Sequence, residues 1–234
     1  MFLVTEKLGL NLYEQYRQHS GSQPYFTMAR LKMVALQCLE ALSYIHTLGL
    51  IHCDLKPENI VVADEDKGAI KVIDFGSSCF VDDESTSSHY VQSRAYRAPE
   101  VILGCPWDQK VDIWSLGCIL AELWTETVLF DNDSIPTVLG MQHSIVGPFQ
   151  RDFLTTGRLS GQYFCESDHA ESLSMYEGAN LLVCTPSSLE DRLGARVSLD
   201  DKASKLARFL QPMLELNPAK RCSADSLRTN SFLK

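Results

Sequence analysis

The chain has 234 residues, 45% of them hydrophobic, and a formal net charge of −9 at pH 7. Such a chain can bury one sizeable core, which excludes disorder throughout. The acidic balance and the lack of a long basic run argue against nucleic acid or an anionic membrane surface as the main partner. They predict attraction to protein substrates that carry basic residues.

The cysteines include no Cys-x-x-Cys pair, and several lie in apolar helical patterns; they are Cys38, Cys53, Cys79, Cys105, Cys118, Cys165, Cys184 and Cys222. We therefore expect buried thiols in a reducing compartment rather than disulfides or zinc ligands. The N-terminus has no basic segment followed by a long apolar stretch, and no window reaches the ~18 apolar residues of a membrane span. These features predict a soluble cytoplasmic or nuclear protein.

The first elements are a strand over Phe2–Thr5, an extended segment over Glu6–Leu10 and a short helix over Leu12–His19. From Met28 onwards, apolar residues recur at steps of three and four, which predicts a long amphipathic helix. Gly49 stands where a left-handed helix stop is expected.

Acidic and amide side chains cluster after this helix. The sequence Ile-His-Cys-Asp-Leu-Lys-Pro-Glu-Asn-Ile occupies 51–60, and Ile-Asp-Phe-Gly occupies 73–76. Phosphoryl transfer needs a base for the acceptor hydroxyl, a cation near the γ-phosphate and two oxygen ligands for Mg²⁺. These groups occur in that order as Asp54, Lys56, Asn59 and Asp74. Taken singly, each of these residues has an ordinary structural role, for example as a turn aspartate or a solvated lysine. The hypothesis of a phosphoryl-transfer site therefore rests on their spacing.

The segment between the two metal ligands predicts a β-hairpin. A short strand at 60–62, a polar turn at 64–68 and a return strand at 70–73 fill the interval. A hairpin of this size brings Asn59 and Asp74 back to one edge.

Three later segments complete the outline. Residues from Asp108 to Trp124 are apolar on most faces, which predicts a helix buried at the centre of the fold. The segment from Gly157 to Arg192 is long and weakly patterned, and we expect a surface insertion there. A last amphipathic pattern runs from Leu206 to Leu214, with Pro212 expected to kink the helix.

Five motifs in this order resemble the large lobe of eukaryotic protein kinases. They are the two segments above, Ala-Pro-Glu at 98–100, Asp-Ile-Trp-Ser-Leu-Gly at 112–117 and Asn-Pro-Ala-Lys-Arg at 217–221. The resemblance implies a protein-kinase-like fold: a mainly α-helical large lobe with short β-hairpins. It implies residues 1–10 as the last small-lobe strand and hinge, and 11–234 as the large lobe. The rest of the small β lobe, with its glycine-rich loop and strand lysine, is expected to be absent from this chain.

A narrower resemblance is to the dual-specificity tyrosine-regulated kinases and their homeodomain-interacting relatives. It rests on Cys53, on Gly-Ser-Ser-Cys at 76–79 and on Tyr-Val-Gln-Ser-Arg-Ala-Tyr-Arg at 90–97. Thr-Pro-Ser-Ser-Leu at 185–189 is similar to the plant and protist branch of that group.

The kinase resemblance implies ATP and Mg²⁺ as cofactors. Thr5 matches the gatekeeper position behind the adenine, Glu6 and Leu8 the hinge positions that offer backbone groups to the purine, and Val61 the pocket floor. Thr5 is smaller than the phenylalanine common in the narrower group.

The resemblance also implies two scaffold contacts. The His52 side chain is expected to stack beneath Phe75 and to be anchored from Asp112. Glu100 and Arg221 are expected to form a bidentate ion pair.

Tyr90 matches the second tyrosine of the activation-loop Tyr-x-Tyr, and Ser88 stands in place of the first. A phosphate on Tyr90 would bring roughly two negative charges, which Arg94 and Arg97 would bind. A packed loop tyrosine is the alternative. Because Cys53 replaces the usual arginine, the catalytic loop cannot contribute to that phosphate site.

Two functions remain open at this point. The first is an ATP-dependent protein serine/threonine kinase, with tyrosine autophosphorylation, represented by a fragment. The second is a non-catalytic large lobe that binds proteins. An incomplete gene, an expressed fragment and a short natural protein would all account for the missing small lobe.

Overall fold

A computed structural model describes residues 5–19, 25–81, 90–130, 134–166, 173–175, 187–194 and 201–234, with side chains 165–166 and 173–175 excepted. The strand predicted over residues 2–5 falls almost wholly outside these ranges. So do Ser88, the segment 185–186 and most of the expected insertion.

The first helix, α1, spans Leu12–Gln18, one residue shorter than predicted. A capping box fixes its start. The Glu14 backbone N–H donates to Asn11 Oδ1 at 2.8 Å, and the Asn11 backbone N–H donates to Glu14 Oε2 at 3.0 Å. The helix therefore begins directly after the hinge segment.

The predicted long helix, α2, spans Met28–Thr47. Its apolar stripe is buried, as at Leu31, Cys38 and Leu42. Gly49 follows with φ +73°, the left-handed geometry that favours glycine. This turn directs the chain into the segment 51–60.

Two small antiparallel sheets frame that segment, and the second of them is a hairpin. Strand β1 (Leu50–Ile51) pairs with β4 (Cys79–Phe80), and β2 (Ile60–Asp64) pairs with β3 (Ala69–Val72). The hairpin predicted between Asn59 and Asp74 is thereby confirmed.

Helix α4, at Lys110–Thr125, lies at the centre of the core. Every residue from Val111 to Trp124 is buried, as its apolar sequence predicts. Helices α2, α7 (Leu189–Gly194) and α8 (Asp201–Leu210) pack against it. The remaining helices are α3 (Pro99–Leu103), α5 (Ile135–Val146), α6 (Arg151–Leu154) and α9 (Ala224–Leu227). A third small antiparallel sheet pairs β5 (Phe164–Glu166) with β6 (Leu173–Met175).

The predicted pair between Glu100 and Arg221 is confirmed. Arg221 donates to the two carboxylate oxygens at 2.5 and 2.9 Å, and both side chains are fully buried. The guanidinium carbon also lies 5.1 Å from the centre of the Trp114 ring. This pair ties α3 and the C-terminal segment to α4.

Two expectations need correction. Helix α8 ends at Leu210 instead of continuing through Pro212 with a kink, because proline disfavours helical geometry in the residue before it and has no N–H to donate. The segment 157–192 is not wholly a surface insertion. Phe164 and Leu189 are buried, so its described ends extend the core. Just beyond it, the Leu193 carbonyl accepts the Trp124 indole N–H at 3.0 Å.

Six cysteines are free among the described side chains, and Cys38, Cys53, Cys105 and Cys118 are buried, as expected. Burial raises the pKa of Cys38 to about 12, so this thiol stays protonated. In the part of the chain that the structure describes, no helix is long and apolar enough to cross a membrane.

Candidate active site

The loop after β1 is held by a carboxylate from the central helix. Asp112 Oδ2 accepts the backbone N–H of His52 at 2.9 Å, and Oδ1 accepts that of Cys53 at 3.0 Å. The same carboxylate contacts His46 Nε2 at 2.9 Å. Cys53 has φ +67°, a left-handed conformation that costs free energy in a residue other than glycine. Its buried backbone hydrogen bond holds it in that conformation.

His52 connects this loop to the end of the β2–β3 hairpin. Its Nδ1 accepts the Asp54 backbone N–H at 3.2 Å, so Nε2 carries the proton and donates to the Ile73 carbonyl at 3.0 Å. The ring is buried and contacts Phe75 as expected, with 5.0 Å between the ring centres, but the rings are tilted by 59° rather than stacked. Asp112 anchors the His52 backbone, however, rather than its side chain.

Asp54 is bound on both carboxylate oxygens. Lys56 Nζ donates to Oδ2 at 2.7 Å, while Ser93 donates to Oδ1 from Oγ at 2.7 Å and from its backbone N–H at 3.1 Å. Burial acts to raise the pKa of Asp54, but the hydrogen bonds from Lys56 and Ser93 outweigh it and leave that pKa below its ordinary value. The pKa of Lys56 is raised, chiefly by its bond to Asp54. The pair is therefore ionised at neutral pH.

Sequence reasoning missed the role of Ser93. It lies 39 residues from Asp54 and was noted only as part of the segment 90–97. Gln92 was missed in the same way, although it fixes this segment. Its buried amide donates to the Val111 carbonyl at 2.9 Å and to Ser115 Oγ at 2.8 Å, and it accepts the Ala98 backbone N–H at 2.9 Å.

The two predicted metal ligands lie at the two ends of the hairpin. The Ile73 backbone N–H donates to the Asn59 carbonyl at 2.9 Å, which draws the two ends together. Asn59 donates through Nδ2 to the Asp54 carbonyl at 2.9 Å, so its Oδ1 is the atom that can ligate a cation. Asp74 is exposed and left-handed, with φ +64°. Hard oxygen donors of these two types fit Mg²⁺.

The end of the predicted hinge segment, Glu6–Leu10, runs beside β2. The Gly9 backbone N–H donates to the Val62 carbonyl at 2.8 Å, and the Val62 N–H donates to the Leu10 carbonyl at 2.9 Å. Val61 is buried in this arrangement, as a pocket floor would be. Thr5 and Glu6 are exposed, Leu8 is half-buried, and the Glu6 carboxylate pairs with Lys71. Of the four predicted adenine contacts, Val61 is thus buried, while Thr5 and Glu6 are exposed.

A groove of about 480 Å³ opens next to Lys56 and Ser93. One of its lining residues is Glu122. In the sequence, Glu122 lies within an apolar helical pattern, which does not mark it as a groove residue. This carboxylate accepts the hydroxyls of Tyr16 at 2.9 Å and Tyr96 at 2.6 Å. Burial raises the pKa of Glu122, and the two tyrosine hydrogen bonds reduce that shift.

The structure places two of the predicted regulatory residues, Tyr90 and Arg97, against each other. Arg97 lies over the ring of the exposed Tyr90, with its guanidinium carbon 3.9 Å from the ring centre. The same guanidinium donates to the carbonyls of Val91 at 2.9 Å and Gln92 at 2.6 Å. Arg94 lines the groove beside Lys56.

Comparison with known proteins adds a separate finding. The protein kinase domain family matches residues 1–233. The chain is 35% identical over 231 residues to serine/threonine-protein kinase ppk5 of Schizosaccharomyces pombe, and 34% identical over 232 residues to dual specificity tyrosine-phosphorylation-regulated kinase 2 of Drosophila melanogaster. It is also 35% identical over 235 residues to a probable dual specificity protein kinase YAK1 homolog of Encephalitozoon cuniculi.

Each of these alignments covers 99% of this chain, but only 26%, 31% and 55% of the respective relatives. The resemblance to the dual-specificity group is confirmed. The expectation that the small lobe is absent is not confirmed, since the family match begins at residue 1.

Proposed function

Because this chain belongs to the protein kinase family, we propose that it transfers a phosphoryl group from ATP to serine and threonine side chains of proteins, with Mg²⁺. One observation supports the proposal most. Asp54 is an ionised carboxylate with both oxygens fixed, one by Lys56 and the other by Ser93. A turn aspartate needs no such set of partners, whereas a carboxylate that has to orient a hydroxyl does.

Each residue of the site then has one task. Asp54 orients the acceptor hydroxyl and takes its proton as the new P–O bond forms. Lys56 keeps a positive charge next to Asp54, where the γ-phosphate is transferred. Asn59 and Asp74 hold the cation through their oxygen atoms. Bound Mg-ATP supplies the phosphoryl group and the metal charge that neutralises it.

We further propose that the nucleotide meets this chain on one side only. The backbone of Glu6 and Leu8 faces the purine, Val61 lies beneath it and Thr5 stands behind it. The exposure of Thr5, Glu6 and Asp74 supports a large lobe that needs a small lobe to enclose ATP.

We propose basic protein segments as substrates because the chain carries a net charge of −9. The groove beside Lys56 is itself mixed in charge, since Arg17, Lys56 and Arg94 line it together with Glu58, Glu122 and Glu126.

Tyrosine autophosphorylation at Tyr90 is part of the proposal. The ring is exposed and lies against a guanidinium, so a phosphate added to it would meet Arg97 at once. Arg94 is the second cation that we propose for this phosphate.

The second candidate is a lobe that binds proteins without transferring phosphate. The same exposed nucleotide face favours it, because an open site buries little of a ligand.

A direct test uses the extended chain, by which we mean residues 1–234 joined at the N-terminus to a small lobe with a glycine-rich loop and strand lysine. The extended chain is incubated with Mg-ATP and a basic peptide containing one serine, and phosphopeptide is measured by mass spectrometry. We expect turnover from the extended chain and very little from residues 1–234 alone. An inactive extended chain that binds Mg-ATP normally would favour the binding module.

A further inference from the structure

A second groove, of about 670 Å³, lies where the N-terminal end of α2, helix α8 and the last described turn meet. Basic side chains from all three elements line it: Lys32, Lys202, Lys205, Arg208 and Lys234. No acidic residue lines it within the part of the chain that the structure describes. It shares no lining residue with the groove beside Lys56.

The spacing on α8 aligns three of these cations. Lys202, Lys205 and Arg208 are three residues apart, so they follow one face of the helix over roughly 9 Å. Lys205 pairs with Asp201, one turn earlier. Like charges at this spacing repel each other, which destabilises the isolated helix. An anionic partner along this face would remove that repulsion.

The floor of the groove is aromatic. Phe209 and Phe232 stack with ring centres 4.5 Å apart and an angle of 16° between the rings. Phe209 is 2% exposed, and Lys32 Nζ lies 5.1 Å from the centre of the Phe232 ring. The rings thus already pack on each other and under a lysine. They can contact an aliphatic side chain at their edges, but they have no free face on which a nucleobase could stack.

We propose that this basic groove docks an acidic linear segment of a partner protein, with its carboxylates on the α8 face and one aliphatic side chain on the phenylalanine floor. Cationic walls over an apolar floor match a peptide that combines both side-chain types. Nucleic acid fits less well, because Phe209 and Phe232 stack on each other and under Lys32, which leaves no ring face for a base.

The binding does not depend on phosphate transfer, so it is measured directly on residues 1–234. The probe is a fluorescein-labelled peptide of glutamate pairs separated by single leucines, followed by fluorescence anisotropy. The test variant is Lys202→Glu with Lys205→Glu and Arg208→Glu. A second variant with glutamine at the same positions avoids new repulsion with Asp201. Circular dichroism and the thermal midpoint check that each variant is folded.

The matched control reverses three exposed lysines elsewhere, as Lys67→Glu, Lys71→Glu and Lys220→Glu, with the same change in net charge. We expect the groove variants to bind the peptide about tenfold more weakly or worse, and the control to stay within about twofold of the unmodified chain. Rising NaCl should weaken binding to the unmodified chain.

Four results would overturn the proposal. One is equal affinity for the groove variants and the unmodified chain. Another is an equal loss in the control variant, which would mean attraction by overall charge. The third is that inorganic polyphosphate, duplex DNA or phosphatidylserine vesicles compete as well as an unlabelled copy of the peptide. The fourth is that a leucine-free acidic peptide binds as tightly. In either of the last two cases the site would recognise charge alone.

Discussion

Ser93 binds the same carboxylate oxygen of Asp54 twice, through its hydroxyl at 2.7 Å and its backbone N–H at 3.1 Å. Lys56 Nζ binds the other oxygen at 2.7 Å and lies 3.5 Å from the Ser93 hydroxyl. These bonds join the loop after β1 to the segment 90–97. The orientation of the proposed catalytic base therefore depends on a residue from another part of the chain.

Replacement of Ser93 tests this dependence. In the extended chain, Ser93→Ala should lower kcat by about tenfold, because a hydrogen bond to a charged group is lost while the backbone N–H still binds. Ser93→Thr keeps the hydroxyl and should restore most of the turnover. If Ser93→Ala and Ser93→Thr were equally impaired with unchanged KM, a steric effect rather than the hydroxyl would be responsible.

The buried pair of Glu100 and Arg221 should dominate local stability. Glu100→Gln leaves a buried guanidinium without its charge partner, so the free energy of unfolding should fall by about 3–5 kcal/mol. The control is Arg228→Gln, which breaks an exposed pair with Asp225 and should cost less than about 1 kcal/mol. Urea unfolding measures both. Similar losses in the two variants would refute the structural role of the buried pair.

Glu122 should make stability depend on pH. Burial raises its folded-state pKa above the ordinary value of 4.5, so the folded protein keeps a proton that the unfolded chain releases. Stability should then fall as pH rises from 4.5 through the folded-state pKa. Glu122→Gln removes this titration. Urea unfolding is measured at a series of pH values. The free energy of unfolding of Glu122→Gln should rise relative to that of the unmodified chain across this pH range, and the difference should stay constant above it.

The tyrosine hydroxyls extend this prediction. Tyr96→Phe removes a hydrogen bond that lowers the pKa of Glu122, so the window should reach higher pH. If the difference in the free energy of unfolding between the unmodified chain and Glu122→Gln does not change with pH, the raised pKa of Glu122 is contradicted.

Tyr90 and Arg97 should act as one unit. In the extended chain, Tyr90→Phe and Arg97→Ala should each lower activity on an added substrate, and the double variant should resemble the worse single variant. Mass spectrometry of the active protein checks the modification itself. Normal turnover with no phosphate on Tyr90 would rule out the switch.

The sequence predicts the local parts of the site well. Asp54, Asn59 and the β2–β3 hairpin lie within a short stretch, where spacing and turn residues determine the geometry. Helix α4 is equally clear, because only a central helix is apolar on nearly all faces.

Contacts between distant segments are not predictable in the same way. Glu122 lies 106 residues from Tyr16, so nothing in its neighbourhood marks it as a groove residue. For a similar reason, the net charge does not predict the basic groove. A value of −9 predicts basic partners, but it does not reveal that Lys202, Lys205 and Arg208 gather on one face of α8.

The most direct test of the proposed phosphoryl transfer is Asp54→Asn in the extended chain, compared with Asp74→Asn. Turnover and Mg-ATP binding, by calorimetry, are measured for both. Asp54→Asn removes the carboxylate that orients the hydroxyl but leaves both cation ligands, so turnover should nearly vanish while Mg-ATP affinity stays unchanged. Asp74→Asn should weaken both. Near-normal turnover of Asp54→Asn would contradict the account.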